Sequence, residues 1–406
     1  MIPLGTELLT KATFKRLFLQ SLSSQTFNLS GIVAGAIVAT LSAYTPMNPW
    51  ILVLLPPLLT IRGNIGGILC GRLSTSLYTG LMKPTFRNNT RYFYATITST
   101  FVMSFIFSIV IGILSFLIVN AIHGSSLSLT DSLSLSIIAM MTCSTMAQLI
   151  TPLIAISSYK KGLNPDMILY PIISTINDIL ISSIYTLLVL IKIFWSGFFI
   201  TLSLIMLPLF VAVTIFLTLK HWREEGFRET FREGFPVALL LTLLSQITGS
   251  FLSQLEDQIV ANPQLLAVYP LLIDSTGDIG VVISSATTAR LALGYIEPQM
   301  SSIKGKEERK VVLSSLTAGL TLIMSAALAT SIAYTQSLLQ FVRPFLIIAC
   351  AEFIVVTPII IISFGLTILT FRRGINPDNV TIPIITSFAD LSITISLFVT
   401  SQLLII

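Results

Sequence analysis

The chain has 406 residues, of which 54% are apolar and only 10% charged, with a net charge of +5. Soluble domains carry about 25% charged residues, so this composition excludes a soluble globular protein and points to a polytopic membrane protein. The small basic excess comes without a basic–aromatic motif, which argues against nucleic acid and leaves the charge to report orientation in a bilayer.

In chain order, the N-terminal stretch Leu4 to Phe27 mixes Lys11, Lys15 and Arg16 with Leu8, Leu9, Phe14, Leu17 and Phe18. It reads as an amphipathic helix on the cytoplasmic membrane surface, with a solvated tail as the alternative. No cleavable signal peptide is expected. Apolar segments follow at 28–46, 49–80, 93–121, 133–158, 167–191, 197–219, 236–255, 263–295, 311–335, 340–370 and 379–405. Each can cross a hydrocarbon core of about 30 Å, which predicts eleven membrane helices. The second, eighth and tenth are too long for simple spans, and the second and eighth also hold Pro and Gly. These last two are expected to be tilted or broken near Pro56-Pro57 and Gly63, and near Pro270 and Gly277.

Basic residues alternate with the spans. Lys83, Arg87 and Arg91, then Lys160 and Lys161, then Lys220, Arg223, Arg228 and Arg232, then Lys304, Lys306, Arg309 and Lys310, and finally Arg372 and Arg373 all fall on one side. The other side holds Lys192 and Arg343. The positive-inside rule then places the N-terminus in the cytoplasm and the C-terminus outside the cell membrane. The polar stretch from Lys220 to Gly234 is expected to be a solvated linker between two halves, with Arg228, Glu229, Arg232 and Glu233 on its surface. Cys70, Cys143 and Cys350 fall in apolar spans without metal-ligand spacing and read as packing residues.

Landmarks recur in order. Asn48-Pro49, Pro56, Gly63-Asn64-Ile65-Gly66 and Gly80 return, all at one offset, as Asn262-Pro263, Pro270, Gly277-Asp278-Ile279-Gly280 and Gly294. Gly162 to Asp166 and Pro171 to Asp178 return, at an offset shorter by two positions, as Gly374 to Asp378 and Pro383 to Asp390. An internal duplication explains this order. Span six brings the chain back to the inside, so the expected fold is all-α, with two parallel five-helix repeats joined by a linking helix and a pseudo-twofold axis along the membrane normal. The repeats are drawn at 28–196 and 235–406, with the linking span and charged linker at 197–234.

A proline-led second span carrying Gly-Asn or Gly-Asp, with a fifth span carrying Pro-x-x-[Ser/Thr]-[Ser/Thr]-x-x-Asp after Asn-Pro-Asp, resembles the MgtE-type magnesium transporters. The tandem arrangement resembles solute carrier family forty-one. That resemblance implies divalent cation transport, with Mg²⁺ the leading substrate and the two repeats sharing one ion site. It carries the central ion site onto Asp178 and Asp390, and the second-span position onto Asn64 and Asp278. These 406 residues show no counterpart of the cytoplasmic regulatory domains of bacterial MgtE, so gating of that type is not expected.

The chemistry of Mg²⁺ fits such a residue set. The ion prefers six oxygens near 2.1 Å and sheds water reluctantly, so one or two carboxylates with amide and hydroxyl oxygens can hold it through its waters. Asp178, Asp390 and Asp278 supply charge. Asp274 lies one helical turn before Asp278. Ser174 and Thr175, and Thr386 and Ser387, lie three or four residues before their Asp on the same helix face. Asn64 and Thr60 are the uncharged counterparts of Asp278 and Asp274, so the copies are not equivalent. Two close carboxylates would need a cation or proton between them, which leaves Na⁺ or H⁺ coupling open. Pairing of Asp274 with Arg62, Arg72 or Arg290 is the structural alternative. Glu352 has no acidic counterpart and reads either as a proton or sodium site or as polar packing. Met140 to Met146 reads as packing rather than soft-metal ligation. Two other functions use the same carboxylates: a proton-coupled carrier of small solutes, and an intramembrane aspartyl protease, for which a first Gly and a Pro-Ala-Leu motif are missing. A single chain acting as a pseudo-dimer is expected.

Overall fold

A computed structural model describes residues 14–124, 127–161, 165–334, 338–374 and 377–404; the N-terminal residues before 14, and the Gly162–Asn164 and Ile375–Asn376 portions of the repeated Asn-Pro motif, lie outside them. Helices account for the described architecture, and eleven continuous helical stretches, the first of them Phe14–Ala39, are long and apolar enough to span a membrane. We number the helices α1 (Phe14–Gln25), α2 (Ser30–Ala39), α3 (Trp50–Thr79), α4 (Arg91–His123), α5 (Leu129–Lys160), α6 (Pro165–Phe194), α7 (Ser196–His221), α8 (Glu225–Ser253), α9 (Glu256–Ala261), α10 (Gln264–Ala292), α11 (Lys306–Tyr334), α12 (Leu338–Arg372) and α13 (Pro377–Leu403). The spans thus fall close to the apolar segments, because hydropathy is what places a helix in lipid.

Two boundaries move. The segment expected on the membrane surface is, in its described part, α1, which packs on α11 and runs on through a 3₁₀ turn, Thr26–Leu29, into α2 as the first membrane-length unit. The expected solvated linker is shorter: α8 starts at Glu225, and Gly226, Phe227, Thr230 and Gly234 are buried. Its outward face pairs with α3 instead of standing free, with Arg72 Nη2 2.6 Å from Glu233 Oε2 and Nη1 3.5 Å from Glu229 Oε2.

The expected breaks at proline are absent. α3 and α10 are continuous over 30 and 29 residues, with Pro56, Pro57 and Pro270 inside. Each proline removes one main-chain donor and crowds the carbonyl four residues back. In α3 the carbonyl so released by Pro57 is that of Val53, and Gly249 of α8 packs directly on it. Neighbouring helices can accommodate a proline inside a membrane helix in this way. The true stops are Gly80 and Gly294, at φ of +74° and +71°, a backbone region that glycine enters without strain.

The described chain forms two compact units. Residues 37–260 make one. Its centre is α3, buried against α8, α4 and α6, with Leu69, Cys70, Leu73, Phe93, Ala155 and Ile173 in one apolar cluster. α7 buries only a stripe, Phe199, Ser203, Phe210 and Thr214, and leaves Leu204, Phe216 and Leu219 exposed, as a lipid-facing helix does. Cys70 and Cys143 are buried free thiols and Met140 and Met141 are fully buried, in keeping with packing roles.

The other unit holds residues 1–36 and 261–406. Its centre is α10, packed on α13, α11 and α12, with Ile279, Ile283, Leu291, Val356, Phe364 and Ile368 clustered. Gly35 of α2 lies against the Ala267 carbonyl of α10. Gly249 and Val53 make the same contact in the unit of residues 37–260, each displaced by the offset that relates Pro56 to Pro270. The compact units therefore do not follow the bounds 28–196 and 235–406 expected from the sequence: Gly35 belongs with residues 261–406, and Gly249 with residues 37–260.

Buried ion pairs differ sharply from exposed ones. Arg290 Nε lies 2.8 Å from Glu308 Oε1, with both side chains at most 10% exposed. Glu308→Gln leaves a buried guanidinium without its carboxylate and is expected to lower stability by about 3 kcal/mol. Glu233→Gln, at a carboxylate 63% exposed, is expected to cost no more than about 1 kcal/mol. Thermal unfolding of the two variants in detergent measures both.

Candidate cation site

Intramembrane carboxylates are expensive, by about 2.5–3.5 kcal/mol on insertion scales, and mark functional positions. In this chain they sit at the middles of their helices. Asp278 stands midway between the ends of α10, and Asp390 midway between the ends of α13. At 1.5 Å per residue that is about 20 Å from each helix end, near the bilayer midplane.

The unit of residues 261–406 and 1–36 holds the richer cluster. Asp274 and Asp278 share one face of α10 and are both half-buried. Asn28 Nδ2 donates to Asp278 Oδ2 at 2.9 Å and to Ser275 Oγ at 3.3 Å. Asn28 stands in the 3₁₀ turn Thr26–Leu29. The turn has a local cause: Ser24 Oγ donates to Ser21 O, Thr26 Oγ1 to Leu22 O and Ser30 Oγ to Phe27 O. Such back-bonding competes with the helix ladder and bends it. On the other side of α10, Gly277 faces α13, where a Cβ would meet Thr386 Cα at 3.4 Å. Thr386 Oγ1 bonds back to Ile382 O and Pro383 O, so its hydroxyl proton is committed, while Ser387 Oγ is buried without a hydrogen-bond partner. Asp390 is 9% exposed. Its main-chain carbonyl accepts from Thr394 Oγ1, which lies 2.9 Å from Tyr269 OH of α10, and this chain fixes the register of α13 on α10.

The unit of residues 37–260 presents different chemistry at the matching positions. Asn64 lies at the middle of α3, and its Oδ1 is buried without a hydrogen-bond partner. Asp178 is 8% exposed on α6, one turn beyond half-buried Ser174 and Thr175. Beside them Arg62, 1% exposed, donates from Nη2 to Asn177 Oδ1 at 3.2 Å, and its Nε has no hydrogen-bond partner. Arg62 occupies the position of Thr276 in the other copy. A fixed positive charge thus stands where Thr276 puts a hydroxyl, and it opposes a cation beside Asn64. Gly66 allows the approach, since a Cβ there would meet Asn177 Nδ2 at 2.5 Å. Arg72 and Arg290 are engaged by Glu229, Glu233 and Glu308, as described above.

Among the described residues no three His, Cys, Asp or Glu side chains gather into a resident metal cluster. The carboxylates come instead singly or in an i, i+4 pair, backed by amides and hydroxyls. Such a set suits a cation that keeps its water shell better than one that is stripped and caged. Sequence reasoning missed Asn28 as a partner of Asp278. The one local sign was a lone amide between Phe27 and Leu29, directly after a Ser/Thr-rich run.

Asn28→Ala removes the donor that orients Asp278. Outer groups of this kind are worth about 10–100-fold in metal affinity. A roughly tenfold rise in the half-saturating concentration of a divalent cation is expected, read from the concentration dependence of its binding.

A family model described as "MgtE: Divalent cation transporter" matches residues 55–188 and again residues 269–400. The two matches start as far apart as Pro56 and Pro270, and end as far apart as Asp178 and Asp390, so they follow the landmarks of the sequence. No curated protein and no solved structure matches the chain.

Proposed function

This chain belongs to the MgtE family of divalent cation transporters, and on that premise we propose that its substrate is Mg²⁺, moved past the midplane carboxylates Asp278, Asp274, Asp390 and Asp178. The observation that carries the reading is Asp278: a half-buried carboxylate at the centre of a membrane helix, with one oxygen held by the Asn28 amide. Holding one oxygen fixes the carboxylate and directs the other at what passes. Mg²⁺ binds through few direct protein ligands and keeps several waters, so a fixed carboxylate with nearby hydroxyl and amide oxygens is enough to receive it. Within the unit of residues 1–36 and 261–406, Thr386 offers a hydroxyl oxygen to those waters; within the unit of residues 37–260, Ser174 and Thr175 offer hydroxyl oxygens and Asn64 a neutral carbonyl to theirs. Within the unit of residues 37–260 the Arg62 guanidinium weakens the attraction of Asp178 for a cation.

The two matched segments are read as copies of one ancestral five-helix unit, with α7 as the linking helix. The basic residues at alternate helix ends support a reading with the N-terminus in the cytoplasm. The organic-solute and protease readings gain no support from the family.

Uptake of Mg²⁺, Mn²⁺, Co²⁺ and Ca²⁺ into vesicles reconstituted with the chain, with and without Na⁺ or H⁺ gradients, tests this. Mg²⁺ is expected to enter fastest and to be competed by Mn²⁺ and Co²⁺ more than by larger Ca²⁺, which does not fit an octahedral water shell sized for Mg²⁺. Faster entry of Ca²⁺, or no divalent entry, overturns the reading.

A further inference from the structure

We propose that Glu352 is a proton-binding site on the back of α10, exchanged against the cation held on its front; this rests on the divalent-transport reading above. Glu352 lies in the interior of α12 and is completely buried. Its Oε2 is 2.8 Å from Thr276 Oγ1, and its Oε1 has no hydrogen-bond partner. A bare carboxylate with one hydroxyl neighbour is not sustained in such a place. The hydroxyl geometry points the same way. Thr276 Oγ1 is also 2.6 Å from Leu272 O, and a hydroxyl has one proton to give. With one hydroxyl proton between two acceptors, either Leu272 O or Glu352 Oε2 is left short of a donor, and a proton on Glu352 satisfies both contacts. One carboxyl and one hydroxyl make a poor shell for Na⁺, so the proton is the fitting occupant.

Position couples this proton to the cation. Thr276 stands between Asp274 and Asp278 in sequence, and at about 100° per residue it points to the opposite face of the helix from both. The charged groups on the elements packed against α12 are Asp274, Asp278 and Arg290 on α10, Asp390 on α13, Lys304 in the 3₁₀ turn Met300–Lys304, and Lys306 to Lys310 at the start of α11. α12 itself carries Arg343 and Arg372. Of the groups on α10, the one Glu352 bonds is Thr276. A divalent cation arriving at Asp274 and Asp278, across the width of one helix, favours the ionised form of Glu352. Cation in therefore means proton off: the carboxylic acid becomes carboxylate, and the released proton leaves to the opposite side. One such site moves one proton against each cation.

The test uses the full chain in vesicles that enclose a pH dye and a Mg²⁺ dye. An inward Mg²⁺ gradient is expected to raise lumenal pH as Mg²⁺ enters. Glu352→Gln is expected to admit Mg²⁺ with no change in lumenal pH, and at a rate that no longer varies with buffer pH. Infrared difference spectra give a readout that needs no transport. Wild type should show a protonated-carboxyl carbonyl band that Mg²⁺ removes and that Thr276→Val shifts. Equal lumenal alkalinisation in wild type and Glu352→Gln, or a band that Mg²⁺ leaves unchanged, overturns the proposal. Vesicles that admit no divalent cation at all overturn the transport reading instead, and the infrared band still decides the proton.

Discussion

Asp278→Asn is expected to reduce divalent cation uptake at least about 100-fold, the upper end of what even an outer-shell group is worth at a metal site. The substitution keeps the shape of the side chain and an oxygen able to accept from Asn28 Nδ2, so the local hydrogen bond survives. It also removes an intramembrane charge whose insertion costs about 2.5–3.5 kcal/mol. The variant should therefore insert and unfold at or above the wild-type temperature while failing to transport. Asp390→Asn is expected to behave alike, because Asp390 stands at the centre of α13 and is 9% exposed. Uptake into vesicles together with a melting curve separates lost chemistry from lost fold. Wild-type uptake by either variant contradicts the assignment.

Gly35→Leu and Gly249→Leu are expected to destabilise the protein by about 3 kcal/mol or more, the upper range for overpacking a filled site. At both positions a Cβ would fall inside the carbonyl of the facing helix, Ala267 for Gly35 and Val53 for Gly249. Main-chain atoms cannot step aside as a side chain can, so the helix must lift away. The control is Gly71→Ala in α3, where nothing lies within 4 Å of an added Cβ. That change should stabilise by up to about 1 kcal/mol, because glycine weakens a helix interior. Melting curves of the three variants in detergent check the contrast; similar losses for Gly71→Ala and Gly35→Leu would refute the packing argument.

Hydropathy made the membrane helices legible, since lipid tolerates little else than a closed backbone ladder. Gly80 and Gly294 were legible as helix stops because they need positive φ. The midplane carboxylates stood out because each costs so much to insert. What stayed hidden depends on partners distant in sequence. Asn28 meets Asp278 across 250 residues, and nothing in its neighbours predicts which carboxylate it finds. The prolines read as helix breaks, yet whether a proline breaks a membrane helix depends on what covers the released carbonyl, here Gly249 against Val53. The charges of α8 read as solvated because their partner, Arg72, lies on a different helix. Arg62 read as a possible mate for an Asp, and the structure shows its Nη2 at the Asn177 amide oxygen.

The most direct test of the account is the position of Mn²⁺, a stand-in for Mg²⁺, in an anomalous difference map of the protein crystallised with it. The account predicts a peak within one water of the Asp278 carboxylate, about 4–5 Å from its oxygens, for an ion that keeps its first shell. Peaks confined to the helix ends, with none along α10 beside Asp274 or Asp278, would contradict it.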